Sequence, residues 1–323
     1  MDNAGKDIPI IFFGTPAFAA VQLDRLLCEG YKIEAVVTAP DKPAGRGLRL
    51  RHSEVKQVAL RHNVPIFQPY SLKDLSFINE IRLLNAQLFI VIAFRMLPKE
   101  LWAMPPFGTF NLHASLLPDY RGAAPINWAI INGETETGLT TFFLNEYIDE
   151  GNIIMQHRMT IGPDETAGEL HDRMIDEAWP LLKQTLDKIA KGCVTTVAQD
   201  HSKAIHKAPK LKREHLRINW FGTANEIRNT IRGLSPKPGA YTEIIHQSGK
   251  RDELRIFRAS LLPKMHTIEP YRLFVVDKQL LVNHPECMLK LEEVQLKGKN
   301  ILISSEFVKG FRDDGGWKVA LTV

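Results

Sequence analysis

Two short runs with no polar face limit this chain most: residues 8–13 (IPIIFF) and 88–93 (LFIVIA). Runs of that length, bounded by turn residues and apolar on both faces, belong to strands buried from both sides. Residues 33–38 (IEAVVT) repeat the strand pattern. Between the runs, Phe18, Val21, Leu23, Leu26 and Leu27, and then residues 55–62 and 75–84, carry apolar side chains near helical spacing. Buried strands alternating with amphipathic helices describe an α/β fold, a doubly wound, mainly parallel Rossmann-like sheet covered on each side. Ligands of such sheets bind beyond the carboxyl ends of the strands. The first turn holds Gly14 alone, so the dinucleotide fingerprint is missing, and no phosphate-loop motif occurs elsewhere. Neither NAD nor ATP is expected.

At 323 residues the chain is long enough for two domains. The expected division is a catalytic domain over 1–192, closed by a long amphipathic helix from Ala167, a basic linker over 193–212, and a second domain over 213–323. The second domain opens with a capping box, Thr223-x-x-Glu226. Beyond Pro236 and Pro238 it turns into short strands, at 241–245, 254–258, 273–276, 280–282, 288–294 and 300–303, which fit a small OB-like β-barrel.

Net charge is +4, but its distribution says more than its size. Residues 201–260 hold thirteen lysines and arginines against five acids, so the basic excess sits there and the rest is acidic on balance. That segment suits a polyanion. Residues 40–47 (PDKPAGRG) add a loop whose prolines and glycines exclude helix and central strand, displaying Lys42 and Arg46 to solvent. Cys28, Cys193 and Cys287 have no spacing for a disulfide framework or zinc site, and no run approaches a membrane span or a signal h-region. A cytosolic protein without a metal is expected.

The chemistry concentrates at 111–125 (NLHASLLPDYRGAAP), where Asn111, His113 and Ser115 fall on alternate residues at the end of a buried strand. Leu116, Leu117 and Pro118 follow as an apolar wall, and Arg121 lies in a turn able to reach a ligand. Asp149 lies in a loop just past a later strand, at what reads as the same edge of the sheet. No nucleophile elbow is present, so an Asn, His and Asp set points to assistance of a direct transfer. Acyl transfer to an amine needs an oxyanion donor, a proton acceptor and a group that tunes the acceptor.

The order N-x-H-x-S-L-L-P, R-G-x-x-P and a later D-x-G loop resembles the 10-formyltetrahydrofolate-dependent formyltransferases. The PDKPAGRG loop, the basic linker leading to Ile218-Asn219-Trp220 and the β-rich second domain resemble the members that act on charged initiator tRNA. The resemblance implies formyl transfer from 10-formyltetrahydrofolate to the α-amino group of methionine on that tRNA, in a monomer. It implies that Asn111 and His113 hold the oxyanion, with His113 relaying protons and Asp149 setting its protonation through water. It assigns Ser115, Leu116, Leu117, Pro118, Phe94, Arg95, Met96, Leu97 and Ile148 to the folate, and Lys42, Arg46, Lys207, Lys210, Lys212 and Arg213 to the tRNA. The chain departs from the pattern at Lys42, Asn145, Glu150 and Lys237. A formyltransferase of amino sugar nucleotides, a folate hydrolase and a non-catalytic RNA-binding protein are the alternatives.

Overall fold

The computed structural model describes residues 5–44, 49–265 and 267–321. Two compact units emerge, one formed by Met1–Gly122, Thr137–Met159 and His171–Lys207, the other by Ala123–Glu136, Thr160–Leu170 and Ala208–Val323.

The first unit is built on a seven-stranded sheet in the order Ile153–Thr160, Glu136–Phe143, Thr109–His113, Leu88–Ile92, Ile10–Gly14, Ile33–Val37, Ile66–Phe67. The strands from Thr109–His113 to Ile66–Phe67 run parallel, whereas Glu136–Phe143 is antiparallel to its neighbour. Alternate residues of the central strands, among them Ile11, Phe13, Phe89 and Val91, pack with Phe77, Ile78 and Ile81 of the helix Leu75–Leu83. The expected strands and helices of this unit are all present, within a few residues at their ends. The helices start where side chains take up free backbone N–H groups: Ser53 accepts from Lys56 N, and Asp74 from Ser76 N.

The second unit carries an antiparallel sheet in the order Leu273–Val276, Gln279–Asn283, Met288–Leu296, Arg251–Leu262, Ala240–His246, Trp317–Val319, with Leu302–Ile303 paired to Met288–Leu296. A bridge between Arg272 and Lys318 brings its two ends together into a nearly closed barrel. Inside lie Leu254, Ile256, Leu280, Leu289 and Leu291, with Trp220 donating its indole N–H to Thr242 Oγ1 at 2.8 Å. The capping box forms at Thr223 and Glu226 and opens the helix Ala224–Gly233. The strand Arg251–Leu262 is much longer than expected from residues 254–258, because its polar flank faces outward, as a barrel strand allows.

This unit recruits segments from early in the chain. The helix Pro125–Ile131 lies against Ala224–Gly233, with Asn127 Nδ2 donating to Gly233 O at 2.7 Å and Ile131 packed on the barrel core. Among the described residues no helix is long and apolar enough to cross a membrane.

Candidate active site

Asn111 and His113 project from one face of the strand Thr109–His113, and the register pairs them with Phe142 and Thr140 of the antiparallel neighbour. The opposite face, with Leu112 beside Thr141, is taken by the helix Ala167–Ala190, where Thr185 meets Thr141 at 2.9 Å. The polar row continues no further than His113. Ser115, fully buried, donates its hydroxyl to Asp119 O at 2.7 Å and closes the following turn.

That turn is fixed to the sheet through Thr140. Its hydroxyl donates to Ser115 O at 2.6 Å and accepts from Leu117 N at 3.2 Å, while Gln156 Nε2 donates to Leu117 O at 2.8 Å. Leu117 is buried, with Leu116 and Pro118 half-buried beside it.

His113 is 7% exposed, and its Nε2 lies 3.0 Å from the carbonyl oxygen of Tyr120. A carbonyl only accepts, so Nε2 carries the proton and, in the neutral ring, Nδ1 keeps its lone pair. Nδ1 faces Asp149 Oδ2 at 3.9 Å. That separation exceeds a hydrogen bond. Asn111 carries the complementary signature, a buried Oδ1 without a hydrogen-bond partner. Buried amide oxygens are normally satisfied, and this one has room for a hydrogen-bond donor.

Asp149 reaches this face by a route other than the shared carboxyl edge expected. Because Glu136–Phe143 runs antiparallel, its carboxyl end lies beside the beginning of Thr109–His113, with Phe143 opposite Phe110. The loop after Phe143 instead folds back over the Asn111 face. Gly151 permits this, since a Cβ there would sit 1.6 Å from Phe143 O. Asp149 has φ 55°, a left-handed conformation that Asp tolerates better than most residues. Its Oδ2 accepts from Gly122 N at 3.0 Å.

In the turn Tyr120, Arg121, Gly122, the Arg121 side chain is engaged by the protein. It is bound within its own unit, Nη1 donating to Glu150 Oε1 at 3.1 Å and Nε and Nη2 to Gln199 Oε1 at 3.0 and 2.6 Å. Sequence reasoning missed Gln199 altogether, for it lies in a polar stretch without periodicity and its partners are mostly backbone atoms.

The other assigned residues divide. Leu97 is 3% exposed and belongs to the core with Phe13 and Phe89, and Phe94 packs half-buried against Phe13. Arg95 donates to the carbonyls of Pro69 and Tyr70 at 2.8 and 3.0 Å, while Met96 and Ile148 are 62% and 61% exposed.

Lys42 begins a two-stranded hairpin, Lys42–Ala44 with Arg49–Arg51, and is exposed. Arg46 lies outside the described residues. The hairpin is anchored at Asp41, whose carboxyl accepts from Lys56 and Gln68; these bonds, with His52, lower its pKa to about 2. Lys207, Lys210, Lys212 and Arg213 are exposed, Lys212 lying 3.7 Å from Glu214, and Arg213 pairing with Glu253 at 3.2 Å. Asp24, Cys28 and His62 bring ligand-type atoms within 4.8 Å, but Asp24 is already bonded to His62 at 2.9 Å and to Arg61 at 3.3 Å. A guanidinium on the same carboxylate opposes a cation there.

These features define the class. Residues 7–186 match the formyl transferase family and residues 210–312 the formyl transferase C-terminal domain. The fold is shared with a sugar 3N-formyl transferase, at TM-score 0.64 and 20% identity over 91% of this chain and 99% of that one. It is shared also with HypX from Aquifex aeolicus bound to tetrahydrofolic acid, at TM-score 0.64 and 16% identity over 94% of this chain and 48% of that one. Much nearer in sequence are the methionyl-tRNA formyltransferases of Flavobacterium johnsoniae, 46% identical over 94% of this chain and 96% of that protein, and of Bacteroides fragilis, 44% identical over 95% and 96%. The chain belongs to the methionyl-tRNA formyltransferase family.

Proposed function

We propose that this protein transfers the formyl group of 10-formyltetrahydrofolate to the α-amino group of methionine carried by initiator tRNA, for translation initiation. Identity of 44–46% to methionyl-tRNA formyltransferases across both units carries the reading. It favours a charged tRNA over an amino sugar nucleotide, since the sugar enzyme of like fold is 20% identical.

Asn111 provides, through its Nδ2–H group, the donor that meets the formyl oxygen as it becomes an oxyanion, and its Oδ1 is left to accept from a bound donor. The methionyl amine attacks the formyl carbon, a tetrahedral intermediate forms, and the carbon–N10 bond breaks. The amine's surplus proton passes to His113 Nδ1, the nitrogen left free by the Tyr120 carbonyl, and on to N10 of the departing folate. Asp149 stabilises the charged ring between these transfers. Asn111, His113 and Asp149 all come from one chain, which supports action as a monomer.

Pro118, Leu116, Met96 and Ile148 offer apolar surface for the folate. Ser115, Leu117, Phe94 and Leu97 act behind that surface, and Arg95 holds the neighbouring turn through the Pro69 and Tyr70 carbonyls. Lys42, Arg46, Lys207, Lys210, Lys212 and Arg213 meet the tRNA backbone as charges, positioning it without reading sequence.

The test uses purified protein, 10-formyltetrahydrofolate and three acceptors: charged initiator tRNA, charged elongator tRNA and an amino sugar nucleotide. Formylation of the initiator far above the other two is expected. Preference for the sugar nucleotide would replace this reading with the alternative.

A further inference from the structure

We infer that Gln199 is a positioning residue for Asp149, and through it for the proton transfers at His113; this rests on the role given to Asp149 above. Gln199 is 7% exposed, and its side chain is fully used. Nε2 donates to Asp149 O at 2.9 Å and to Gly151 O at 2.8 Å, while Oε1 accepts from Arg121 Nε and Nη2 at 3.0 and 2.6 Å. Two donors and two lone pairs exhaust what a carboxamide offers.

The bonds fall on both sides of Glu150, whose own side chain accepts from Arg121 Nη1 at 3.1 Å. One buried amide thus ties the peptide carrying Asp149 to the Arg121–Gly122 strand, the same strand whose Gly122 N–H holds the Asp149 carboxylate at 3.0 Å. With φ of 55° at Asp149, the backbone needs such support to keep the carboxylate aimed at Nδ1.

Gln199 is itself anchored. Val197 exchanges backbone hydrogen bonds with Ile153 at 2.8 and 2.9 Å, so the segment enters in a fixed register. Further along, His206 O accepts from Tyr120 N at 2.9 Å and its ring stacks on Tyr120 with centroids 5.1 Å apart. Tyr120 supplies the carbonyl that accepts from His113 Nε2. A stretch that reads as a plain linker therefore holds both flanks of the imidazole.

Gln199→Met keeps the length and removes every hydrogen bond. In the full-length protein, single-turnover transfer, the KM for the formyl donor and the melting temperature should be measured for this variant alone and combined with Asp149→Asn. A fall in rate of about 10–100-fold is expected, as for a reacting group displaced by a fraction of an ångström to one ångström. The donor KM should stay close to wild type, and the variant should cause no further loss in the Asp149→Asn background. If Gln199→Met folds poorly, Arg121→Lys loosens the same clamp from its far side and should show a smaller loss with the same dependence on Asp149. A wild-type rate in Gln199→Met, or an equal loss in both backgrounds, would overturn the inference. Wild-type turnover by Asp149→Asn alone would instead remove the reading of the site on which it stands.

Discussion

The charges around His113 and those from Lys207 to Arg213 are held in opposite ways. His113 is buried, Asp149 nearly so, and both are tied by backbone hydrogen bonds to turns that are themselves pinned. Lys207 and Lys210 stand in solvent, and Lys212, also exposed, lies 3.7 Å from the exposed Glu214. Fixed polar groups favour one arrangement of charge, as an oxyanion and a migrating proton require. Exposed cations suit a long polyanion whose phosphates need neutralising rather than orienting. The first region should respond to atoms, the second to charge and salt.

The largest expected effect is at Asn111. Asn111→Ala should lower the transfer rate by roughly 10²–10³-fold, the range for loss of an oxyanion donor. Its stability should stay level or rise, because removing an unsatisfied buried amide relieves a desolvation cost. Thermal melts and single-turnover rates measured together would check this, and a loss of stability without loss of rate would reverse the contrast with the basic surface.

Next comes a deletion. A fragment starting at Lys207 leaves out the helix Pro125–Ile131 and, with it, the Asn127–Gly233 bond and the packing of Ile131 on the barrel. Ile131 is only partly buried, so its loss costs less than the about 2–5 kcal/mol of a fully buried side chain, but with the Asn127–Gly233 bond gone as well the fragment should melt at lower temperature and denaturant than the same unit in the whole chain. Its tRNA affinity should then be underestimated, a point that denaturant titration with and without tRNA can settle.

Smaller again is the effect of replacing Lys207, Lys210 and Lys212 by Ala. Each should reduce the slope of log affinity against log salt by about 0.7–0.9 if it neutralises one phosphate. Donor KM and rate at saturating tRNA should be unchanged. An unaltered salt slope would remove these residues from the interface.

The smallest concerns acid. Asp41, lowered to about 2 by Lys56 and Gln68, binds its proton more weakly in the folded chain than in the unfolded one. Its contribution to stability is complete above the ordinary carboxylate range near 4 and is lost as pH falls toward 2. Asp41→Asn should weaken the anchor of the hairpin and lower the melting temperature at neutral pH, where the carboxylate's contribution is complete, and the difference from wild type should shrink as pH falls from about 4 toward 2.

The two regions also differ in how far the sequence revealed them. The central strands could be read because burial on both faces leaves an unbroken apolar run, as at residues 88–93. Asn111 and His113 stood out by period two. Asp149 does reach the Asn111 face, but not from a shared carboxyl edge, for direction in the sheet cannot be read from one strand. Gln199, Gly122 and the Tyr120 carbonyl act through backbone or through a polar stretch without period, and left no pattern to detect. The barrel's strands were visible, yet the helix Pro125–Ile131 gave no sign of packing with a unit that begins some eighty residues later. The helix Ser304–Gly310 was missed because it is short and mostly polar, and the strand Trp317–Val319 because three residues are too few to show a period.

The most direct measurement is single-turnover formyl transfer by His113→Gln. Its side-chain amide keeps a donor for the Tyr120 carbonyl and supports the fold, but it cannot take up a proton. We expect a folded protein that binds formyl donor and tRNA as the wild type does and transfers at least about 100-fold more slowly. Transfer at the wild-type rate by that folded variant would contradict the assignment of proton transfer to His113 and, with it, the placing of the reaction on this face of the sheet.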